Sequence, residues 1–169
     1  MPRSHGCSGL LSNAVERSQM EIIRVLLIDD QEIFRLGLRI VLSRYQDLSL
    51  DCEAEDGPTG LALVAERKPD VAIVDVWLPG MDGVEVAERI REISPQTRII
   101  LVSGCFDDAA INRGIELGVD GIITKTDPPT EFANFIREVH RGEFCCSPTV
   151  LESPLVRLAA PLPHVGETP

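Results

Sequence analysis

Five side chains that could take part in phosphoryl transfer each stand at the end of a short apolar run. In chain order they are Asp29, Asp30, Asp75, Ser103 and Lys125. Carboxylates that converge repel one another unless a cation lies between them, and oxygen-only ligands suit a hard cation such as Mg²⁺. A carboxylate beside Mg²⁺ can attack a phosphorus atom in line. This pattern makes Asp75 a candidate nucleophile and the aspartate pair candidate ligands of Mg²⁺.

Each of these residues also has an ordinary structural role. Asp29 or Asp30 alone could cap a helix N-terminus, and a lone Lys125 or Ser103 would usually be a solvated or locally hydrogen-bonded side chain. Their combination favours the chemical role. An ammonium group can neutralise charge that develops on phosphoryl oxygens, and a hydroxyl group can donate to the finished phosphate.

The elements that must position these residues alternate between buried strands and amphipathic helices. Five strand-then-helix units in strict order predict a doubly wound α/β fold of the flavodoxin-like type, with a parallel five-stranded sheet in the order 2-1-3-4-5. In such a sheet the carboxyl ends of the strands lie along one edge, so the candidate residues should meet there. The predicted strands are 22–28, 48–54, 71–74, 98–103 and 121–124.

Capping and helix-breaking residues mark the ends of the predicted helices. Asp82 is placed as the N-cap of the third helix, and Pro95 closes that helix. Gly118 should stop a fourth helix that begins at Asp107, and Gly142 should stop the fifth.

Length and composition predict one folded domain with extensions. With 169 residues and 44% apolar residues the chain can build one core, and 4% aromatic residues make that core aliphatic. We expect a flexible N-terminal arm at 1–20, a folded domain at 21–143 and a proline-rich linker or tail at 144–169. A net charge of -11 argues against binding of nucleic acid or an anionic membrane by this piece itself.

Cysteine use and the N-terminal segment indicate a soluble cytoplasmic protein. The five cysteines are odd in number and form no CxxC pair with metal spacing. Residues 1–20 have no sustained apolar run, unlike a signal peptide, and no run in the chain is long enough to span a bilayer.

The motifs together resemble the receiver domain of bacterial response regulators. The resemblance covers about 22–142, and segments 34–39 and 55–57 look most like the NarL/FixJ-like, LuxR-type branch of transcriptional regulators. The matching parts are Asp29-Asp30-Gln31, the run VDVWLPGMDG at 74–83, Ser103 and Lys125.

The resemblance implies a phosphoacceptor and a metal site. Asp75 would accept a phosphoryl group from a sensor histidine kinase, and Mg²⁺ would be held by Asp29, Asp30, Asp75 and the backbone carbonyl of Trp77. The domain would catalyse its own phosphorylation, but its product would be a signalling state. It is therefore expected not to be a turnover enzyme.

The resemblance also implies how the signal would be detected. Lys125 would contact the phosphate, and Ser103 would turn toward it. Many relatives have an aromatic residue three positions before the lysine, but this sequence has Ile122, so an aliphatic rearrangement would have to replace the usual aromatic switch. Many relatives also have proline directly after the lysine, where this sequence has Thr126.

The expected output lies in another domain. Relatives in this branch have a helix-turn-helix DNA-binding domain after a linker, and dimerisation on phosphorylation is plausible for the family. The sequence ends at Pro169 after a proline-rich segment. We expect DNA to be bound through such a missing domain rather than by this chain. A stand-alone receiver that acts through protein contacts, or as a phosphate sink, is the alternative.

Two other protein classes fit the sequence less well. A hydrolase with an aspartyl nucleophile generally needs a second acid two residues after it, where this chain has Trp77. A flavodoxin-like cofactor binder would have a Ser-, Thr- or Gly-rich loop after the first strand, where Asp29 and Asp30 would repel a phosphate.

Two residues are expected to affect the lifetime of the phosphorylated state. Trp77 lies two positions after Asp75, and Cys105 lies two positions after Ser103, so both would flank the path of an attacking water. Neither side chain orients water well, which predicts slow spontaneous dephosphorylation. An indole that simply packs on its own loop is the alternative.

Overall fold

The computed structural model describes residues 21–105 and 108–152 of the chain. The predicted arm at 1–20 and the part of the predicted tail beyond 152 lie outside these residues, as does Asp107. Within the described ranges, no helix has the length and apolar character needed to cross a membrane.

Strands and helices alternate along the chain. The strands are β1 (Ile23–Ile28), β2 (Leu48–Ala54), β3 (Val71–Asp75), β4 (Trp77–Leu78), β5 (Met81–Asp82), β6 (Arg98–Ser103), β7 (Gly121–Thr124) and β8 (Cys145–Cys146). The helices are α1 (Glu32–Leu42), α2 (Gly57–Arg67), α3 (Gly83–Ile93), α4 (Asp108–Leu117), α5 (Glu131–His140) and α6 (Pro148–Leu151).

The main sheet has the order β2-β1-β3-β6-β7-β8. All of its neighbouring strands pair in parallel. Its first five members reproduce the predicted order 2-1-3-4-5, so the predicted α/β fold is confirmed. The short strands β4 and β5 form a separate antiparallel hairpin between β3 and α3.

The sheet extends one strand beyond the five that the sequence predicts. Cys145 and Cys146, which the sequence assigns to the linker, pair with Gly121 and Ile122 of β7. The amide of Cys145 donates to the carbonyl of Asp120 at 3.1 Å. A strand of two residues shows no alternation of apolar and polar side chains, so no periodic pattern predicts it.

Helices cover both faces of the sheet and bury an aliphatic core. On one face, side chains such as Leu26 pack with Val64 of α2 and Ile90 of α3. On the other face, side chains such as Leu27 pack with Ile136 of α5. Burial on both faces explains why the central strands are continuously apolar, as parallel strands usually are.

Capping residues fix the start of α3 and the ends of α4 and α5. Oδ1 of Asp82 accepts a hydrogen bond from the amide of Val84 at 2.7 Å, which confirms the predicted N-cap of α3. Gly118 and Gly142 follow α4 and α5 with φ of 71° and 85°. These left-handed conformations favour glycine and end both helices as predicted.

Candidate functional site

A lysine joins two aspartates at the carboxyl edge of the sheet. Nζ of Lys125 lies 2.6 Å from Oδ2 of Asp29 and 2.6 Å from Oδ2 of Asp75. Asp29 follows β1 and Asp75 ends β3, and these strands are neighbours in the sheet. Both aspartates are buried, and only 9% of the Lys125 side chain is exposed. Little water therefore screens these charges.

The third predicted carboxylate lies beside this pair. Asp30 is exposed, and one carboxylate oxygen each from Asp29, Asp30 and Asp75 lie within 4.8 Å of one another. Three carboxylates thus face one ammonium group. The site therefore has more negative than positive charge, and its ligand atoms are oxygens. Both properties suit a hard divalent cation.

Asp29 provides a further test of whether a cation fits. Its Oδ2 atom is fully buried and accepts no hydrogen bond of suitable angle, although Lys125 lies close to it. Burial raises the pKa of Asp29, while Lys125 and the amide of Gln31 act in the opposite direction. A cation beside this oxygen would offset the cost of burying its charge, so the residues present fit Mg²⁺.

The loop after β3 holds the carboxylate of Asp75. Its Oδ1 atom accepts a hydrogen bond from the amide of Trp77 at 3.1 Å, while Oδ2 accepts from Lys125 at 2.6 Å. One oxygen is thus oriented by the backbone of the β4–β5 hairpin and the other by the lysine.

Ser103 reaches the same edge but hydrogen-bonds its own loop. Its Oγ atom donates to the carbonyl of Cys105 at 2.7 Å and accepts from the amide of that residue at 3.2 Å. The backbone at Ser103 nevertheless helps to place the lysine, because its carbonyl accepts from the amide of Lys125 at 2.8 Å. The hydroxyl would have to rotate to reach a group on Asp75.

Trp77 connects the two loops that border the site. Its side chain is 60% exposed, and Nε1 donates to the carbonyl of Cys105 at 3.3 Å. The same carbonyl accepts from the hydroxyl of Ser103, so Trp77 and Ser103 both donate to Cys105. The indole is therefore not confined to its own loop. The role predicted for the Trp77 carbonyl as a metal ligand stays a prediction.

Arg35 of α1, which was not among the predicted site residues, supports the aspartate pair. Its Nη1 atom donates to the backbone carbonyl of Asp29 at 2.7 Å, and its Nη2 atom donates to Glu55 at 2.7 Å. Arg35 is buried together with Leu38 and Leu42 of the same helix. This helical spacing of an arginine on an apolar face was the signal that could have identified it.

Ile122 occupies the position where many relatives have the aromatic switch residue. It is fully buried in β7 and belongs to the core that contains Leu101 and Ile111. Any rearrangement that reaches this position therefore involves aliphatic packing.

The chain matches a known protein family over most of its length. Residues 25–137 match the family model described as the response regulator receiver domain. The chain belongs to this family. Receiver domains of this family are signalling domains, and the homologues described next are regulators of the LuxR/NarL type.

A curated response regulator is similar to this chain in sequence. Response regulator protein VraR of Staphylococcus aureus is 33% identical over 129 residues, which cover 76% of this chain and 62% of that protein. The chain therefore spans less than two thirds of the length of this curated relative.

Solved structures share the fold. A LuxR-family two-component response regulator from Aurantimonas sp. SI85-9A1 is 28% identical with a TM-score of 0.75, covering 82% of this chain and 98% of the other. The receiver domain of the putative response regulator NarL from Mycobacterium tuberculosis is 32% identical with a TM-score of 0.69, covering 73% and 99%.

Proposed function

We propose that this receiver domain accepts a phosphoryl group on Asp75 from a sensor histidine kinase in a cytoplasmic phosphorelay. The observation that carries this proposal is the position of Lys125, whose ammonium lies 2.6 Å from both Asp29 and Asp75. A lysine in this position lowers the negative charge that an incoming phosphoryl group would meet.

The side chains of the site divide the work of the transfer. Asp29, Asp30, Asp75 and the carbonyl of Trp77 would hold Mg²⁺, which supplies positive charge against the phosphoryl oxygens when bound. Oδ1 of Asp75 is oriented by an amide, and its Oδ2 atom attacks the phosphorus while the P–N bond to the kinase histidine breaks and the imidazole leaves. Lys125 then pairs with a phosphoryl oxygen.

Ser103 would report the modification. Its hydroxyl leaves the carbonyl of Cys105 and donates to the phosphoryl group, which moves the loop that leads to α4. A change in the surface formed by α4 and β7 would be the output of the domain.

A turnover hydrolase is disfavoured by the residue two positions after the nucleophile. Trp77 has no acidic proton to give to a leaving group, and its indole N–H is bonded to Cys105. The phosphorylated domain is therefore a signalling state rather than an intermediate in rapid turnover.

The kinase would dock on the exposed face of α1. Ile33, Leu36 and Ile40 are large apolar side chains exposed on this helix, and Ile33 is 77% exposed. Ile33 also lines a cavity of about 300 Å³ next to Lys125. An apolar surface beside the phosphoacceptor suits a partner that must place its phosphohistidine there.

The output of the longer protein is proposed from the relatives. The similarity to LuxR-family regulators supports transcription control through a helix-turn-helix domain outside this sequence, with homodimerisation on phosphorylation. This chain itself would not bind DNA. A stand-alone receiver that acts through protein contacts is the alternative.

Intact mass spectrometry after incubation with Mg²⁺ and acetyl phosphate tests the proposal. We expect one added phosphoryl group, which is absent in Asp75→Asn and after chelation of the metal, but is retained in the surface control Asp51→Asn. Phosphotransfer from a purified autophosphorylated kinase provides a second donor. A folded domain that no donor modifies, or that is modified equally in Asp75→Asn, would contradict the proposal.

A further inference from the structure

The ammonium group of Lys125 also faces an aromatic ring. Its Nζ atom lies 5.0 Å from the centroid of the Phe34 ring. A cation within about 6 Å of a ring centroid is attracted by the negative face of the π system. Phe34 belongs to α1, so its ring approaches the lysine from outside the sheet.

The ring contacts the Lys125 ammonium on a side that the two carboxylates do not cover. Asp29 and Asp75 hold the ammonium at 2.6 Å, and only 9% of the lysine side chain is exposed. The ring and the lysine both line the cavity of about 300 Å³, together with Pro129 and other residues. Without the ring, the four-carbon chain of the lysine would have room to rotate into this cavity.

A second aromatic residue fixes the orientation of the ring. Phe34 and Phe132 meet edge to face, with centroids 5.6 Å apart and an interplanar angle of 68°. Phe132 comes from α5 and is fully buried. Its other neighbour is Phe135, with centroids 6.2 Å apart. The Phe34 ring of α1 thus packs against α5 with its face toward Lys125.

We propose that Phe34 is a positioning residue for Lys125. Its ring keeps the ammonium directed at the oxygens of Asp75. The effect of this contact on the reaction rate rests on the proposed phosphoryl transfer, but the contact itself does not. Leucine at this position would fill similar apolar space but would present no negative face to the cation. Tyrosine would keep the ring.

Phosphorylation rates of matched variants test the consequence. With acetyl phosphate and saturating Mg²⁺, we expect Phe34→Leu to be modified about 2- to 30-fold more slowly, the rate equivalent of one cation–π contact. The rate of Phe34→Tyr should stay within about twofold of the parent rate, because tyrosine keeps the ring; a difference of this size lies within the usual error of additivity. The control Phe135→Leu removes an aromatic side chain from the same cluster without touching the lysine, and its rate should also be unchanged.

A double-mutant cycle tests the contact independently of phosphorylation. The unfolding equilibrium is measured for the parent, Phe34→Leu, Lys125→Met and the double variant. The cost of leaving both carboxylates unpaired is common to both Lys125→Met proteins, so it cancels in the cycle. We expect a coupling of about 2- to 30-fold in the unfolding constant.

The outcomes separate this inference from the proposed function. Additive effects in the cycle, or a Phe34→Leu rate equal to that of the parent, would overturn the role of Phe34. Coupling in a protein that no donor phosphorylates would support the contact and contradict only the proposed function. Equal losses of rate in Phe34→Leu and Phe135→Leu would reduce Phe34 to a packing residue.

Discussion

A Cβ atom on Gly83 would lie 1.9 Å from the backbone carbonyl oxygen of Asp75. Gly83 begins α3, and its amide donates to the carbonyl of Val76 at 2.9 Å. The start of α3 is therefore packed directly against the backbone of the proposed phosphoacceptor. Any side chain at this position must move either the helix or Asp75.

The first prediction follows from this close approach. Gly83→Ala should lower the free energy of unfolding by about 1–3 kcal/mol, the usual cost of inserting a methyl group where there is no room. It should also slow phosphorylation, because the carboxylate of Asp75 moves with its backbone. Chemical denaturation and acetyl phosphate kinetics measure the two effects.

Gly37 provides the matched control for this substitution. It lies inside α1, and a Cβ atom there would meet no atom within 4 Å. Gly37→Ala should raise the free energy of unfolding by about 0.5–1 kcal/mol, since alanine is the better helix former. The opposite signs of the two changes are the prediction; equal effects would contradict it.

The second prediction concerns Mg²⁺ and stability. A cation that binds the folded site stabilises it by mass action, by about 1.4 kcal/mol at ten times its dissociation constant. Thermal unfolding should therefore move to higher temperature with MgCl₂ and return with a chelator. Asp30→Asn should lose most of this shift, because its carboxylate belongs to the cluster.

Glu88→Gln is the control for the metal response. Glu88 lies on α3 and lines a different cavity, next to Arg113. Its removal changes the net charge by the same amount as Asp30→Asn, so a general electrostatic effect would change both variants alike. Retention of the Mg²⁺ shift in Glu88→Gln and its loss in Asp30→Asn would identify specific binding.

The third prediction is a pH dependence that arises away from the site. Arg137 donates to both carboxylate oxygens of Asp47, at 2.7 and 2.9 Å, and these hydrogen bonds lower the pKa of Asp47 below its ordinary 3.8. A lowered folded-state pKa stabilises the fold above the unfolded-state pKa. That contribution is lost as the pH falls from 3.8 through the lower folded value.

Asp47→Asn should therefore lower the free energy of unfolding more at neutral pH than in acid. We expect it to cost about 0.5–1 kcal/mol at pH 7, as partly exposed ion pairs do, and the difference from the parent should shrink below pH 3.8. Urea unfolding at several pH values measures this trend. The pKa of Glu143 is likewise lowered by its hydrogen bond from Arg141, but this pair is more exposed than Asp47 and Arg137, so Glu143→Gln should show the same trend at a smaller size. A cost that grows in acid would contradict the assignment.

The fourth prediction concerns the lifetime of the phosphorylated state. The indole of Trp77 donates to the carbonyl of Cys105, and the sequence predicts that it crowds the path of a water that attacks the phosphorylated Asp75. Trp77→Asn should admit and orient that water. One added hydrogen bond of about 1 kcal/mol corresponds to a roughly fivefold shorter half-life. Decay of the added mass after removal of the donor measures this.

Trp77→Phe separates crowding from hydrogen bonding. It keeps an aromatic ring but loses the N–H donor to Cys105, so its half-life should stay close to that of the parent if crowding protects the phosphoryl group. An unchanged half-life in Trp77→Asn would end the hypothesis.

Much of the sheet could be predicted because its strands are long and buried on both faces. Continuous apolar runs such as the one before Asp75 have few alternatives to a parallel strand. Once the strand order was set, the topology alone brought Asp29, Asp75 and Lys125 to one edge. The sequence could also place the cap at Asp82, because the residue type and its position before an apolar helix both indicate it.

Contacts that depend on side-chain direction could not be predicted in the same way. Nothing in the spacing shows that the indole of Trp77 meets the carbonyl of Cys105, or that Phe34 faces Lys125. Ser103 was expected to respond to the phosphate, but its bond to the loop in this structure depends on a rotamer that no periodicity encodes. These details arise from packing between elements that are distant in sequence.

Strand β8 determines at which edge of the sheet the described part of the chain ends. Helix α5 runs back from the carboxyl edge of the sheet, and the two residues of β8, parallel to β7, return the chain to that edge. Ser147 then donates to Asp127, two residues after Lys125, and Val150 is buried against the core. Anything covalently attached beyond Glu152 is thus tethered at the same edge as Asp75. Its effective concentration there is high whether or not it binds, so a weak contact with the phosphorylated surface would be enough to be populated.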